Sequence, residues 1–289
     1  MKDYSNFKRQ GKFKEIWRRL IKSKTAMLGL IILTIFVLAA IFADQITPFN
    51  AAIKQNVKIR LQGPSMEHWF GTDGYGRDLF ARVLHGGRRS LAIGFISTAG
   101  ALVVGLILGC IVGYWGGTID NVIMRVMDTL SAIPATLMAL AIVAALGTNM
   151  TNLIIAIAIA RIPAFVRIIR ASIMGIVDQE YIEAAYAGGA SSLQIILNHI
   201  IINVSGTVIV QTTMTTAQMI MRAASLGFLG LGIQAPTPEW GTLLSEAREY
   251  MRTSPYLMVF PGLAIVFSTL SLNLLGDGLR DALDPRLKT

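Results

Sequence analysis

Long stretches of this chain carry no charge, and short polar segments separate them. Residues 26–43, 90–119, 129–160, 200–221 and 256–276 contain no Asp, Glu, Lys or Arg. A bilayer core selects such blocks, because about 20 apolar residues of helix cross it and about 17 is the lower limit. The 18 residues of 26–43 sit near that limit. The 32 residues of 129–160 exceed one straight helix, and Gly147-Thr148-Asn149-Met150-Thr151-Asn152 interrupts them with turn formers. The pattern predicts six spans: 26–43, one within 90–119, 122–146, 150–170, 200–221 and 256–276. Pro163 is predicted to kink the fourth, since its ring removes a backbone donor.

The polar segments organise the rest. A basic segment occupies 1–25, a loop 44–89, a polar interruption 178–203, a loop 225–255 and a tail 277–289. The basic segment is long for a signal peptide and no clear Ala-x-Ala site follows, which favours a retained first helix. An even number of spans puts both termini on one side. Nine of the 26 Lys and Arg precede residue 25, which assigns that side to the cytoplasm. Arg161, Arg167 and Arg170 before the 178–203 segment, and Arg280, Arg286 and Lys288 in the tail, agree. The 44–89 loop, with seven Lys and Arg, runs against the rule, but charge counts weigh less in long loops. The 225–255 segment opens Leu226-Gly227-Phe228-Leu229-Gly230-Leu231-Gly232-Ile233. An apolar stretch of that kind is predicted to fold back into the bundle from the outer face.

Composition agrees with a polytopic membrane protein. The chain is 53% hydrophobic and 15% charged, against about 25% charged for a soluble domain. The net charge of +9 does not point to nucleic acid, because the basic residues gather on no soluble domain. The single Cys110 lies in an apolar block and allows no disulfide within the chain. His68, His85 and His199 are scattered, which suggests no metal site. No Gly-x-x-x-x-Gly-Lys-Ser/Thr phosphate loop occurs, so the chain has no such site for ATP. No nucleophile–base pair or catalytic pair of carboxylates stands out.

The 178–203 segment carries the most chemistry. Residues 179–187 are good helix formers, with Asp178 as a candidate N-cap and acids in the first turn. Ile182, Ala185, Tyr186 and Gly189 share a face by helical spacing. Ala184, Ala185 and Gly189 are small enough for a partner backbone to come close. Gly188-Gly189 permits a turn, and Ser191-Ser192 can cap a second helix with Leu193, Ile196 and Leu197 on its face. Two short helices of this kind suit a knob seated in a cleft, or an amphipathic loop lying on the membrane. Elsewhere, Arg125 and Asp128 sit three apart on one helix face and suggest a structural ion pair within the membrane. Thr212, Thr216, Gln218 and Arg222 are candidates for a polar translocation path, along with Thr213 and Thr215. Packing between helices serves these small polar residues equally well. Arg161 and Arg222 either line a path or reach an interface with their heads.

Four motifs carry a resemblance. Glu183-Ala184-Ala185 with Gly189, His199 and Asn203 resembles the coupling loop of permeases in the peptide and nickel group of ABC importers. Phe70-Gly71-Thr72-Asp73-Gly74-Tyr75-Gly76-Arg77-Asp78, with Arg82, Gly86, Arg88, Ser90 and Leu91, resembles the outer segment of the C-type subunit of that group. Arg125-Val126-Met127-Asp128 with Ile133-Pro134 is a third match. Ser225 to Gly232 with Pro236, Pro238 and Trp240-Gly241 is the fourth. The resemblance runs from about residue 15 to residue 288. One position departs: Ile202 stands where the group has proline, so the helix is expected to run unkinked into span five.

The resemblance implies an all-α integral membrane fold, a six-helix type I ABC importer permease bundle with cytoplasmic coupling helices. It implies a non-catalytic subunit of an ATP-driven importer of di- or oligopeptides in the bacterial cytoplasmic membrane. Glu183, Ala184, Ala185, Tyr186, Gly189, Ser192 and His199 would form the ATPase contact. Implied partners are a second related permease chain, one or two ATPase subunits and an external solute-binding protein, with ATP and Mg on the ATPases and no cofactor on this chain. A nickel or nickel-chelate importer shares these motifs. A stand-alone secondary transporter would want acids near the midplane, whereas Asp120 and Asp128 lie near a span end.

Overall fold

The computed structural model describes residues 12–283, with side chains from Ile16 onward. Residues 1–11 and the tail residues Arg286 and Lys288 lie outside this range. Among the described residues the chain holds no strand beyond a single bridge between Thr72 and Asp78.

The first helix, α1 (Lys12–Lys22), is amphipathic, and α2 (Lys24–Ile41) is apolar on every face. Ser23 separates them and caps α2, its hydroxyl accepting from Ala26 N at 3.3 Å. Short helices Ala43–Ile46 and Phe49–Ile53 follow. Then α3 (Leu79–Trp115) runs 37 residues. The expected loop at 44–89 is therefore shorter, because 79–89 are the first turns of α3. Asp78 starts the helix early by accepting from Ala81 N at 2.8 Å. The charges that marked this stretch as a loop are paired: Arg82 reaches Glu246, and Arg88 reaches Asp44 and the Ala40 and Ile41 carbonyls.

The expected straight span at 122–146 is two helices, α4 (Gly117–Ala132) and α5 (Ala135–Leu146), bent by 84°. Pro134 is the cause. It forces Ile133 into extended backbone, ψ 126°, as a residue before proline prefers. The next span is α6 (Met150–Ile159) and α7 (Ile162–Met174), bent by 41° with Pro163 in the first turn of α7. The expected kink at Pro163 is present, and the helix continues past 170. After α8 (Glu180–Ala187) comes α9 (Ser192–Phe228), 37 residues with a π turn at Ile196–Ile200. Ile202 lets it run without a break. A loop leads to α10 (Trp240–Ala247), and α11 (Tyr256–Leu283) ends the described chain, so the expected tail from 277 is helical to Leu283. By length and composition α2, α3, α9 and α11 can each cross a membrane, and the two bent pairs raise the number to six if each is one span.

Small residues set how close the helices pack. On α3, Gly105, Gly109 and Gly113 face Phe165, Ile169 and Ile173 of α7, and a Cβ on Gly109 or Gly113 would lie 2.7 or 2.9 Å from the opposing isoleucine Cβ. Bare backbone lets the larger side chains nest there, the arrangement membrane helices favour where burial from water gives no drive. Likewise Gly278 of α11 receives Ala26 at the start of α2. One end of the bundle therefore gathers α1, the start of α9, the end of α11 and the segment 175–191. The opposite end carries the 44–78 segment and α10.

Candidate functional site

The segment between α7 and α9 forms a knob. Its first helix, α8, has Gln179 at the N-cap position in place of the expected Asp178, and no side chain caps it. Glu180 and Glu183 lie in the first turn, where the helix dipole favours acids. At the other end Gly188 closes the helix and Gly189 adopts φ +85°, a region that suits glycine alone. The turn then meets a complete capping box. Ser191 Oγ accepts from Gln194 N at 3.4 Å, and Ser191 N donates to Gln194 Oε1 at 2.8 Å.

Burial divides the knob into two sides. Ile182, Ile195, Ile196 and Ile200 are buried in one apolar cluster with Ile169 and Ile173 of α7. Ala185 and Ala190 pack against it. The single face expected from Ile182, Ala185, Tyr186 and Gly189 is thus split, and Ile196 leaves the face expected with Leu193 and Leu197. An isolated helix of eight residues is unstable in water, so the inner residues attach α8 to its own bundle. What remains outside is Glu183, Ala184, Gly189, Tyr186, Leu193 and Leu197, with Tyr186 70% and Leu193 65% exposed. Ser192 and His199 are half-buried at its margin. Asn203 Nδ2 donates to the Tyr181 hydroxyl at 3.3 Å, which links α9 to α8, and to the His199 carbonyl of its own helix at 2.8 Å.

The candidate path residues on α9 fall on different faces. Thr212 and Thr216 donate their hydroxyls to the Val208 and Thr212 carbonyls at 2.7 and 2.9 Å. Thr216 is buried on the side of Gly94 of α3. Gln218 is exposed and Arg222 half-buried. With Asn203, Thr207 and Gln211 they form one polar stripe at spacings of four and seven. Thr207 and Gln211 were not singled out in the sequence, although that spacing was available to find them. The lower part of the stripe borders a cleft of about 550 Å³, with Met214 and Arg280.

The expected pair Arg125–Asp128 does not form. Asp128 Oδ1 accepts from Arg167 Nη2 of α7 at 3.0 Å, and Asp120 takes Arg170 in a two-bonded pair at 2.6 and 2.5 Å. Each acid of α4 reaches across to the neighbouring helix, which leaves Arg125 exposed.

At the opposite end four charges interlock. Arg77 Nε donates to Asp73 at 2.6 Å, and Arg77 and Arg82 both reach Glu246 of α10, at 2.6 and 2.8 Å. Asp73 thus pairs with Arg77, while Asp78 caps α3 and meets His68 at 2.7 Å. Glu246 lies 164 residues from Arg82, beyond any local pattern. Glu239 is fully buried and accepts from Ser90 Oγ at 2.8 Å and Thr242 N at 3.0 Å. Trp240, 1% exposed, donates its indole to Val83 O at 2.9 Å. The segment after α9 therefore folds back onto α3. Among the described residues no cluster of His, Cys, Asp or Glu has the makings of a metal site.

Comparison with known proteins gives these features a context. Residues 105–289 match the family described as "Binding-protein-dependent transport system inner membrane component". Residues 11–64 match "N-terminal TM domain of oligopeptide transport permease C". The dipeptide transport system permease protein DppC of Alkalihalophilus pseudofirmus is 47% identical over 277 residues, 96% of this chain and 91% of that protein. The glutathione transport system permease protein GsiD of Escherichia coli is 45% identical over 274 residues, 95% of this chain and 90% of that protein. GsiD of Pectobacterium atrosepticum is 41% identical over 277 residues, 96% and 92%. Among solved structures, a chain of the inward-facing MetNI methionine ABC transporter superposes with TM-score 0.60 at 18% identity, over 71% of this chain and 98% of that one. At that identity the likeness shows the fold alone.

Proposed function

This chain belongs to the binding-protein-dependent transport system inner membrane components, and from that premise we propose that it is the membrane subunit through which an ATP-driven importer carries small peptides across the bacterial cytoplasmic membrane. The observation that carries the reading is the knob at 180–200, fixed to the bundle on one side and open on the other. Its open side sets small Ala184 and Gly189 beside exposed Tyr186, Leu193 and Leu197, with Glu183 as its acid, which suits the cleft of a separate subunit. ATP and Mg are held by one or two ATPase subunits, while this chain binds no cofactor. A second, related permease chain completes the path along the polar stripe of α9, and an external solute-binding protein delivers cargo at the end bearing α10. The termini and the knob then face the cytoplasm, in keeping with the basic N-terminal segment.

The mechanism is a shift between two packings. ATP draws the ATPases together and moves the knobs. Because α9 begins inside the knob and runs unbroken through Phe228, displacement at Ser192 is delivered along a rigid rod to the polar stripe. The cargo assignment rests on the relatives named for dipeptide and for glutathione transport. Uptake of a labelled dipeptide into proteoliposomes holding the whole complex, with ATP at the knob side and the solute-binding protein at the other, tests it. ATP-dependent uptake that unlabelled dipeptide displaces, and nickel does not, is the expected result. Displacement by nickel alone would assign the nickel class instead.

A further inference from the structure

Two half-buried guanidinium groups approach one stretch of α9 with no acid paired to either among the described residues. Arg161 sits at the bend between α6 and α7, and Arg222 comes from α9. Arg222 follows Thr215 by seven residues, two helical turns on the same face of α9. Arg161 Nη2 donates to Thr215 Oγ1 at 3.4 Å, and Gln211 Nε2 donates to the same oxygen at 3.3 Å. Arg161 Nε is buried with no hydrogen-bond partner. No carboxylate lies within 4 Å of either guanidinium among the described residues, whereas Arg77, Arg82, Arg88, Arg167 and Arg170 each have one.

A guanidinium cannot shed its proton to lower this cost, and charges within membrane bundles are costly and tend to mark function. The arrangement suits an anion. Planar guanidinium groups are matched by a carboxylate, which accepts two parallel hydrogen bonds. Gln218, one turn from Arg222 and exposed, adds an amide that can donate to it. Resting on the peptide reading above, we propose that Arg161 and Arg222 together hold the C-terminal carboxylate of the peptide as it passes along α9. The site is distinct from the knob and from the outer charge network. It would make a free carboxylate a requirement of the membrane step itself. An acid of the second permease chain filling the gap is the competing occupant.

The test uses the complete complex in proteoliposomes, with L-alanyl-L-alanine as the free acid and as the C-terminal amide, each above its affinity for the solute-binding protein. The ratio of maximal uptake rates, acid over amide, is expected to fall about tenfold in Arg161→Gln and in Arg222→Gln, the effect of one charge-assisted hydrogen bond. Arg222→Lys is expected to fall between wild type and Arg222→Gln in that ratio, since the charge remains and the two-bonded fork is lost. A second readout needs no solute-binding protein. Cys110 is buried, so the thiol introduced by Gln218→Cys can be labelled selectively. The free acid is expected to slow that labelling more than the amide does, unless Arg222 is also changed to Gln. Acid and amide rates that fall alike, loss of the second permease chain from either variant, or equal protection of the introduced thiol by both peptides would each overturn the proposal. Absence of any wild-type dipeptide uptake by an intact, ATP-hydrolysing complex would instead remove the peptide reading on which it rests.

Discussion

The Asn203 side chain donates to the Tyr181 hydroxyl at 3.3 Å, joining the first turn of α8 to the point where α9 leaves the knob. The same amide also holds the His199 carbonyl, at 2.8 Å. Without the bond to Tyr181, α8 would be tied to α9 only by the turn at Gly188-Gly189 and by apolar packing. Asn203 therefore sits where a push on the knob becomes a push on the transmembrane rod.

That link predicts a coupling defect without an assembly defect. Tyr181→Phe keeps the ring and removes one partly exposed hydrogen bond, worth about 0.5–1 kcal/mol. Peptide taken up per ATP hydrolysed is expected to fall roughly twofold to fivefold, with the subunits still co-purifying. An unchanged ratio would remove Asn203–Tyr181 from the transmission route.

The α3–α7 seam predicts a contrast between two glycines of one helix. A methyl at Gly109 would lie 2.7 Å from Ile169 Cβ, and one at Gly100 would meet only Ala158, at 3.9 Å. Gly109→Ala is expected to destabilise the detergent-solubilised protein by about 1–3 kcal/mol through overpacking. Gly100→Ala is expected to be neutral or to stabilise by up to about 1 kcal/mol, since alanine favours helix over glycine. Thermal unfolding followed side by side checks both, and equal shifts would contradict the close-approach account.

The outer charge network predicts an asymmetry. Glu246 holds Arg77 and Arg82, which are 2% and 0% exposed. Glu246→Ala leaves two buried guanidinium groups sharing Asp73 alone and is expected to cost about 3 kcal/mol. Removing a charge from each side, in Arg82→Met with Glu246→Leu, is expected to recover part of that loss. A double variant no more stable than Glu246→Ala would show that the pairing is not the source of stability.

How much of this was legible in the sequence follows from the range of each interaction. The apolar blocks located the spans because membrane insertion is set by local composition. Pro163 and Ser191 announced a kink and a cap because both act within one turn. Pro134 misled, since an uncharged run hides an 84° bend from hydropathy. The start of α3 was missed because Arg82 and Arg88 resemble loop residues until their distant partners are known. Arg125–Asp128 failed for the same reason: spacing along one helix cannot reveal that Arg167 of another helix competes for the acid. In the knob, periodicity found the apolar residues, and only packing divided Ile182 and Ile196 from Tyr186 and Leu193.

The knob itself is tested most directly at Ala184. Gly189→Arg would block a partner, but at φ +85° any side chain also strains the turn, so its effect has two causes. Ala184 is exposed in the middle of α8, and arginine is a good helix former there. The measurement is the amount of ATPase subunit that co-purifies in detergent with wild type and with Ala184→Arg, expressed together with the solute-binding protein and the second permease chain. The account predicts stoichiometric ATPase with wild type, and little or none with a variant that still inserts and still holds the second permease chain. ATPase retained in full by Ala184→Arg, or absent from wild type, would contradict it.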